Sequence, residues 1–183
     1  MMQQRLSAIV RFLNGLSERV GRITAWLTLF MVLVTFAVVV LRYVFDLGWI
    51  GMQESIVYMH ATVFMLGAAY TLNRDGHVRV DVLYQSFNTR KKALVDLLGG
   101  LLLLVPVTIY IIWASWDYVA ESWGLLEASP ETGGLPLVFV LKTLIPLMGI
   151  LMLLQAVSGI IQNGLVLAGF SIENETDVEG GGA

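Results

Sequence analysis

Two histidines, His60 and His77, and no cysteine form the whole imidazole and thiol inventory of this 183-residue chain. The missing cysteines remove disulfides, thiolate metal sites, iron–sulfur clusters and cysteine nucleophiles together. A bis-histidine haem needs two imidazoles on facing helices at one depth. His60 and His77 are 17 positions apart, roughly 25 Å along a continuous helix, so one haem cannot use both. No glycine-rich loop carries the Lys-Ser/Thr pair of a nucleotide phosphate site. Eleven Lys+Arg against 14 Asp+Glu give a net charge of −3, which argues against a nucleic-acid partner. No cofactor and no metal is expected, and the chain does not read as an enzyme. His60 is the exception to weigh. An ionisable residue inside an apolar stretch is a functional hypothesis by default. The alternative is a neutral imidazole bonded to a neighbouring helix.

Two segments concentrate the remaining polar groups. One is Arg74-Asp75-Gly76-His77-Val78-Arg79-Val80-Asp81, whose opposite charges suit an ion-pair network at a helix–loop junction. The other is the loop 117–142. It holds Asp117, Glu121, Glu127 and Glu131, with no basic residue before Lys142. Its Ser-Pro-Glu-Thr-Gly-Gly-Leu-Pro segment, with Gly133, Gly134 and Pro136, reads as a shaped turn. Such a loop is either simply solvated or a surface that greets a soluble partner electrostatically.

The elements that position these residues are membrane helices. Hydrophobic residues make up 57% of the chain and charged ones 14%, with a mean hydropathy of +0.76. A water-soluble domain needs about 25% charged residues. Four apolar stretches approach the ~20 residues that cross a bilayer: about 23–41, 55–72, 97–116 and 143–163. Charges flank them: Arg22 and Arg42, Glu54 and Arg74, Asp96 and Asp117, and Lys142. The first is too long for a signal-peptide core, and no small-x-small site follows it. Nine of the eleven basic residues fall before the first stretch or between the second and third. The positive-inside rule then places both termini in the cytoplasm. The fold class expected is an all-α integral membrane protein, a single membrane domain of four spans, in contact with membrane lipid. Residues 171–183 read as an acidic, disordered tail.

Residues 4–22 place Leu6, Ile9, Val10, Leu13, Leu16 and Val20 on one helical face and Ser7, Arg11, Asn14, Glu18 and Arg22 on the other. That pattern predicts an amphipathic helix on the cytoplasmic interface, either a surface anchor or a brace touching another subunit. A shorter interfacial helix is expected over 81–96, beside Arg90-Lys91-Lys92. Small residues suit close helix approach in lipid: Gly67, Ala68 and Thr71 in the second span, Gly149, Ala156 and Gly159 in the fourth. Pro106 and Pro146 can kink their helices. No repeat relates the two halves, so an independent transporter is disfavoured.

Taken in order, these motifs resemble the small permease subunit of tripartite ATP-independent periplasmic (TRAP) transporters, the DctQ-like family. Arg42-Tyr43-Val44-Phe45 closes the first span, and Trp49 and Glu54 precede the second. Leu66-Gly67-Ala68-Ala69-Tyr70 ends the second, and His77-Val78-Arg79-Val80-Asp81 follows it. Gly133-Gly134-Leu135-Pro136, Lys142 and Ile145-Pro146 complete the series. The similarity covers about residues 20–165. Relatives often carry two acidic residues where this chain has Gln53 and Glu54. The resemblance implies a large DctM-like permease that binds substrate and sodium and moves as an elevator. It also implies a periplasmic DctP-like substrate-binding protein that delivers an organic acid. The small subunit would be the scaffold. On that reading Arg42 and Glu54 pair near the outer surface. Arg74, His77, Arg79 and Asp81 order the cytoplasmic junction. Gly133, Gly134 and Pro136 shape the external loop, and none of these residues touches substrate. The competing class is a membrane anchor subunit of a redox complex.

Overall fold

The computed structural model describes residues 1–77 and 84–170. Five α-helices account for most of them. They are α1 (Met2–Val44), α2 (Ile50–Asn73), α3 (Thr89–Gly99), α4 (Val105–Leu125) and α5 (Val138–Leu167). A π-helical stretch, Gly100–Leu104, joins α3 to α4 without a break, so Thr89–Leu125 forms one long rod. Four helical rods are thus long and apolar enough to cross a membrane. No strand occurs among the described residues.

The rods outrun the apolar stretches that flanking charges delimit. Arg, Lys and Glu are good helix formers. A charge therefore marks where hydrocarbon ends, not where the helix ends. The separate helix expected over 4–22 is instead the first half of α1, which is 43 residues long, about 64 Å. Of the helix expected over 81–96, residues 81–83 lie outside the described residues, and the part from Thr89 is α3, which continues into the third span. Its start is capped by the Asn88 side chain, which accepts from the Lys91 amide at 2.9 Å. The segment 78–83 and the tail 171–183 lie outside the described residues.

Three helices stop by the same device. Asp75, Leu126 and Gly169 adopt left-handed backbone. The next amide then reaches back five residues: Gly76 to Thr71, Glu127 to Ser122 and Phe170 to Leu165, at 2.8–3.0 Å. This satisfies carbonyls that the helix end leaves open.

α5 is the central helix, packed against α1, α2, α3 and α4. It buries Leu144, Pro146, Gly149, Leu151, Gln155, Ala156, Ser158 and Leu165. Gly149 sits where a Cβ would come within 2.7 Å of Ile112, so α4 and α5 meet at backbone distance. Gly21 plays the same part between α1 and α2, because a Cβ there would lie 2.3 Å from the Tyr70 ring. The bundle inverts the water-soluble pattern. Ser17, Thr24, Thr108, Ser115, Ser122, Gln155 and Ser158 are buried, while Trp26, Phe30, Phe36, Phe64 and Trp113 stand more than half exposed. In lipid there is no hydrophobic drive between helices, so small and hydrogen-bonding residues hold the interior and large apolar ones face outward.

Candidate functional site

The polar residues gather into two clamps, one at each end of the bundle. The first is at the end that carries the loop between α4 and α5. Glu54 lies in the second turn of α2. One carboxylate oxygen accepts the Ser129 hydroxyl, and the other accepts the Leu135 amide at 2.6 Å. The Gly51 amide donates to the Gly133 carbonyl at 3.0 Å, and within the loop the Ser129 amide donates to the Leu135 carbonyl at 3.1 Å. The two glycines are needed for different reasons. Gly133 has φ +82°, which L side chains rarely adopt. At Gly134 a Cβ would lie 2.4 Å from the Ser129 hydroxyl oxygen and 2.9 Å from the Glu54 carboxylate. One negative charge on α2 thus organises a turn more than seventy residues away.

The same loop is pinned again on its other flank. Glu127 accepts from the Ser122 hydroxyl at 2.6 Å and from the Lys142 ammonium. Lys142 also lies 3.9 Å from the centroid of the Tyr118 ring, a cation–π contact that ties α5 to α4. The Trp123 indole N–H donates to Thr143 at 2.8 Å, and its ring meets Phe139 edge-on. The Lys142 ammonium beside Glu127, then the Ser122 hydroxyl, hold the Glu127 carboxyl below its ordinary range against a smaller opposing effect of desolvation.

The second clamp is at the opposite end, where α1, α2 and α5 meet. The Ser17 hydroxyl donates to the Gln155 carbonyl oxygen at 2.7 Å. The Gln155 amide donates to Asn14 at 3.1 Å and to Asn73 at 3.0 Å, and Ser158 donates to Asn14 at 2.7 Å. Beside this network, Glu18 receives a forked contact from Arg74 at 3.0 and 2.7 Å and a further bond from Arg22 at 2.9 Å. The Arg74 guanidinium also lies 5.8 Å from the centroid of the Tyr70 ring. A bidentate arginine fixes orientation as well as distance.

Several expectations are corrected. Arg42 is exposed and forms no ion pair with Glu54, whose two carboxylate oxygens accept the loop's Ser129 hydroxyl and Leu135 amide instead. His60 is exposed and makes no hydrogen bond among the described residues. Its ring stacks on Phe64 at 6.4 Å, so the expected bond to a neighbouring helix of the bundle is not formed. Gly67 leaves open space where a Cβ would be. Arg74 turns to Glu18 on α1, while Arg79 and Asp81 lie outside the described residues. His77 is exposed. Pro136 is exposed just after the Leu135 anchor, and Pro146 is buried inside α5.

Sequence reasoning missed most of the second clamp. Helical periodicity assigns Asn14 and Glu18 to a solvated face, yet Asn14 turns inward and Glu18 binds α2. The available signal was Gln155, an amide in the middle of an apolar span, which implies internal partners.

The comparisons with known proteins point to one family. The family description "Tripartite ATP-independent periplasmic transporters, DctQ component" matches residues 31–163. The "C4-dicarboxylate TRAP transporter small permease protein DctQ" of Vibrio cholerae is 33% identical over 88 residues. That stretch is 48% of this chain and 38% of the relative, so the chain spans well under half the length of the curated relative it matches. No solved structure matches the chain.

Proposed function

The chain belongs to the DctQ component family of TRAP transporters, a multi-pass protein of the bacterial inner membrane, and on that premise we propose that it is the immobile scaffold of a sodium-coupled organic-acid importer. Its partners on this reading are a large DctM-like permease, which carries the substrate and sodium sites, and a DctP-like binding protein, which delivers the substrate. Both termini face the cytoplasm. The α4–α5 loop then lies on the periplasmic side, where a binding protein docks.

The observation that carries the reading is the pair of clamps. A helix bundle that slides or rocks during transport needs interfaces with two arrangements. Here α2 is tied to the α4–α5 loop by Glu54 at one end and to α1 and α5 by Arg74 and Asn73 at the other. Breaking the network of Ser17, Gln155 and Ser158 would strand buried polar groups in a low-dielectric setting, which is expensive. Such a bundle resists deformation and suits a fixed frame against which a partner moves. A carboxylate substrate fits the C4-dicarboxylate transporter in which the Vibrio cholerae relative is named. Selectivity is assigned to the other two components.

The test is recovery of the tagged chain from its native membrane in mild detergent. The reading expects one large multi-span permease in equal amount. Recovery of the chain alone, in every mild detergent tried, contradicts it.

A further inference from the structure

The helix face most in need of an explanation is the outward stripe of α2. Val57, His60, Phe64 and Gly67 follow one another at helical spacing, so they share one face. Val57 is 57% and Phe64 72% exposed, and His60 is exposed between them. The charges that flank the apolar part of α2 bound the depth of this stripe. Glu54 and Arg74 mark the two ends of the apolar part of α2, and their separation of 20 positions is about 30 Å, the thickness of the hydrocarbon core. His60 is six positions from Glu54, about 9 Å inside that boundary.

An imidazole at that depth cannot face lipid chains without penalty. It lacks the long stem by which Lys and Arg return their charge to the interface. Hydroxyls elsewhere on the bundle avoid the problem by bonding back to their own helix, as Thr35, Thr62 and Thr71 do at 2.7–3.0 Å. His60 makes no such bond, and its ring lies 6.4 Å from that of Phe64 on the same outward face. By contrast, the outward face of α1 presents Trp26, Phe30 and Leu33, side chains that lipid solvates well. Gly67, two turns from His60, adds the second feature of a helix contact. With no Cβ and open space beyond it, it lets another backbone come close.

We propose that this stripe is the seat of one transmembrane helix of the large permease, and that this helix offers the His60 imidazole a hydrogen-bonding side chain or an open backbone carbonyl. The proposal rests on the scaffold reading and adds to it a position and a chemistry. The partner helix crosses at Gly67 and packs an apolar side chain beside Phe64 and Val57. It carries one polar group about 9 Å below the surface at which Glu54 sits.

The experiment is photocrosslinking in native membranes, with a benzophenone amino acid placed at Val57 or Phe64 on this face and at Leu33 on α1 as control. It is paired with co-purification of the permease by the unsubstituted chain. The expected result is a permease adduct from Val57 and Phe64 and none from Leu33. His60→Leu is expected to lower permease recovery roughly threefold to tenfold, the scale of one hydrogen bond in a membrane. His60→Gln, which keeps hydrogen-bonding groups, is expected to recover most of it. Co-purification with adducts from Leu33 alone overturns this site while leaving the scaffold reading standing. Adducts joining two copies of this chain at Phe64 overturn it in favour of self-association. A chain that recovers no permease at all overturns both.

Discussion

The Glu54 carboxylate on α2 accepts the amide of Leu135, 81 positions later, at 2.6 Å. The same carboxylate takes the Ser129 hydroxyl, so the turn between them closes around a single charge. Because Gly134 leaves no room for a Cβ beside both groups, the turn and the carboxylate form one unit. Glu54→Ala is expected to open the loop, seen as faster protease cleavage between residues 128 and 136 and a lower melting temperature in detergent. Glu54→Gln keeps an acceptor oxygen and should fall between wild type and Ala. Gly134→Ala should reproduce the Ala phenotype without touching the charge.

The α1–α2 contact depends on Gly21. A Cβ there would sit 2.3 Å from Tyr70 Cγ and 2.7 Å from Tyr70 Cβ, atoms near the backbone that cannot swing away. Gly21→Ala is expected to destabilise the bundle by about 1–3 kcal/mol, the usual scale of overpacking. In combination with Tyr70→Ala the two losses should be strongly non-additive, because the clash is relieved. A thermal-melt double-mutant cycle reads this directly, and additive losses would refute the contact.

Gln155 joins three helices through one amide. Gln155→Leu removes the acceptor of Ser17 and the donor to Asn14 and Asn73. The expected loss is about 1–2 kcal/mol, since unsatisfied buried groups cost that much and membrane partners partly re-pair. Gln155→Glu should be worse at neutral pH, because a carboxylate has no donor for the two asparagine oxygens. Equal melting temperatures for wild type and both variants would refute the network.

Acid should loosen the loop through Glu127. Its folded pKa is lowered, first by Lys142 and then by Ser122. The stabilisation is therefore fully present above the ordinary carboxyl value of 4.5. It is lost as pH falls from there through the lowered folded value. The melting-temperature difference between wild type and Glu127→Gln should be flat from pH 7 to pH 5 and shrink below about pH 4.5. A difference that grows on acidification would reverse the sign and refute the Lys142 pairing.

Four spans, the family and the loop glycines were legible because each leaves a local mark: an apolar run, an ordered motif series, Gly-Gly flanked by prolines. The continuity of α1 was not legible. Amphipathic periodicity over 4–22 describes a helix that lies on lipid equally well as one packed on α5. Only the tertiary partners Gln155 and Ser158 separate the two. The Arg42–Glu54 pairing failed for a related reason. Opposite charges flanking one turn look like partners until a distant loop supplies better-placed donors. His60 reads the same way in sequence whether its partner lies inside the bundle or outside it.

A scaffold stays fixed while its partner moves. The chain has no cysteine, so Ser17→Cys and Gln155→Cys introduce the only thiols of this chain, on α1 and α5 where the two side chains touch. A short bifunctional thiol reagent can then lock the bundle in proteoliposomes that contain the permease, with the binding protein, a carboxylate substrate and a sodium gradient supplied. Locked and unlocked complexes are expected to take up substrate at the same rate. Uptake that stops on locking and returns when a cleavable linker is cut would contradict the scaffold reading, and would show that this bundle itself must change shape.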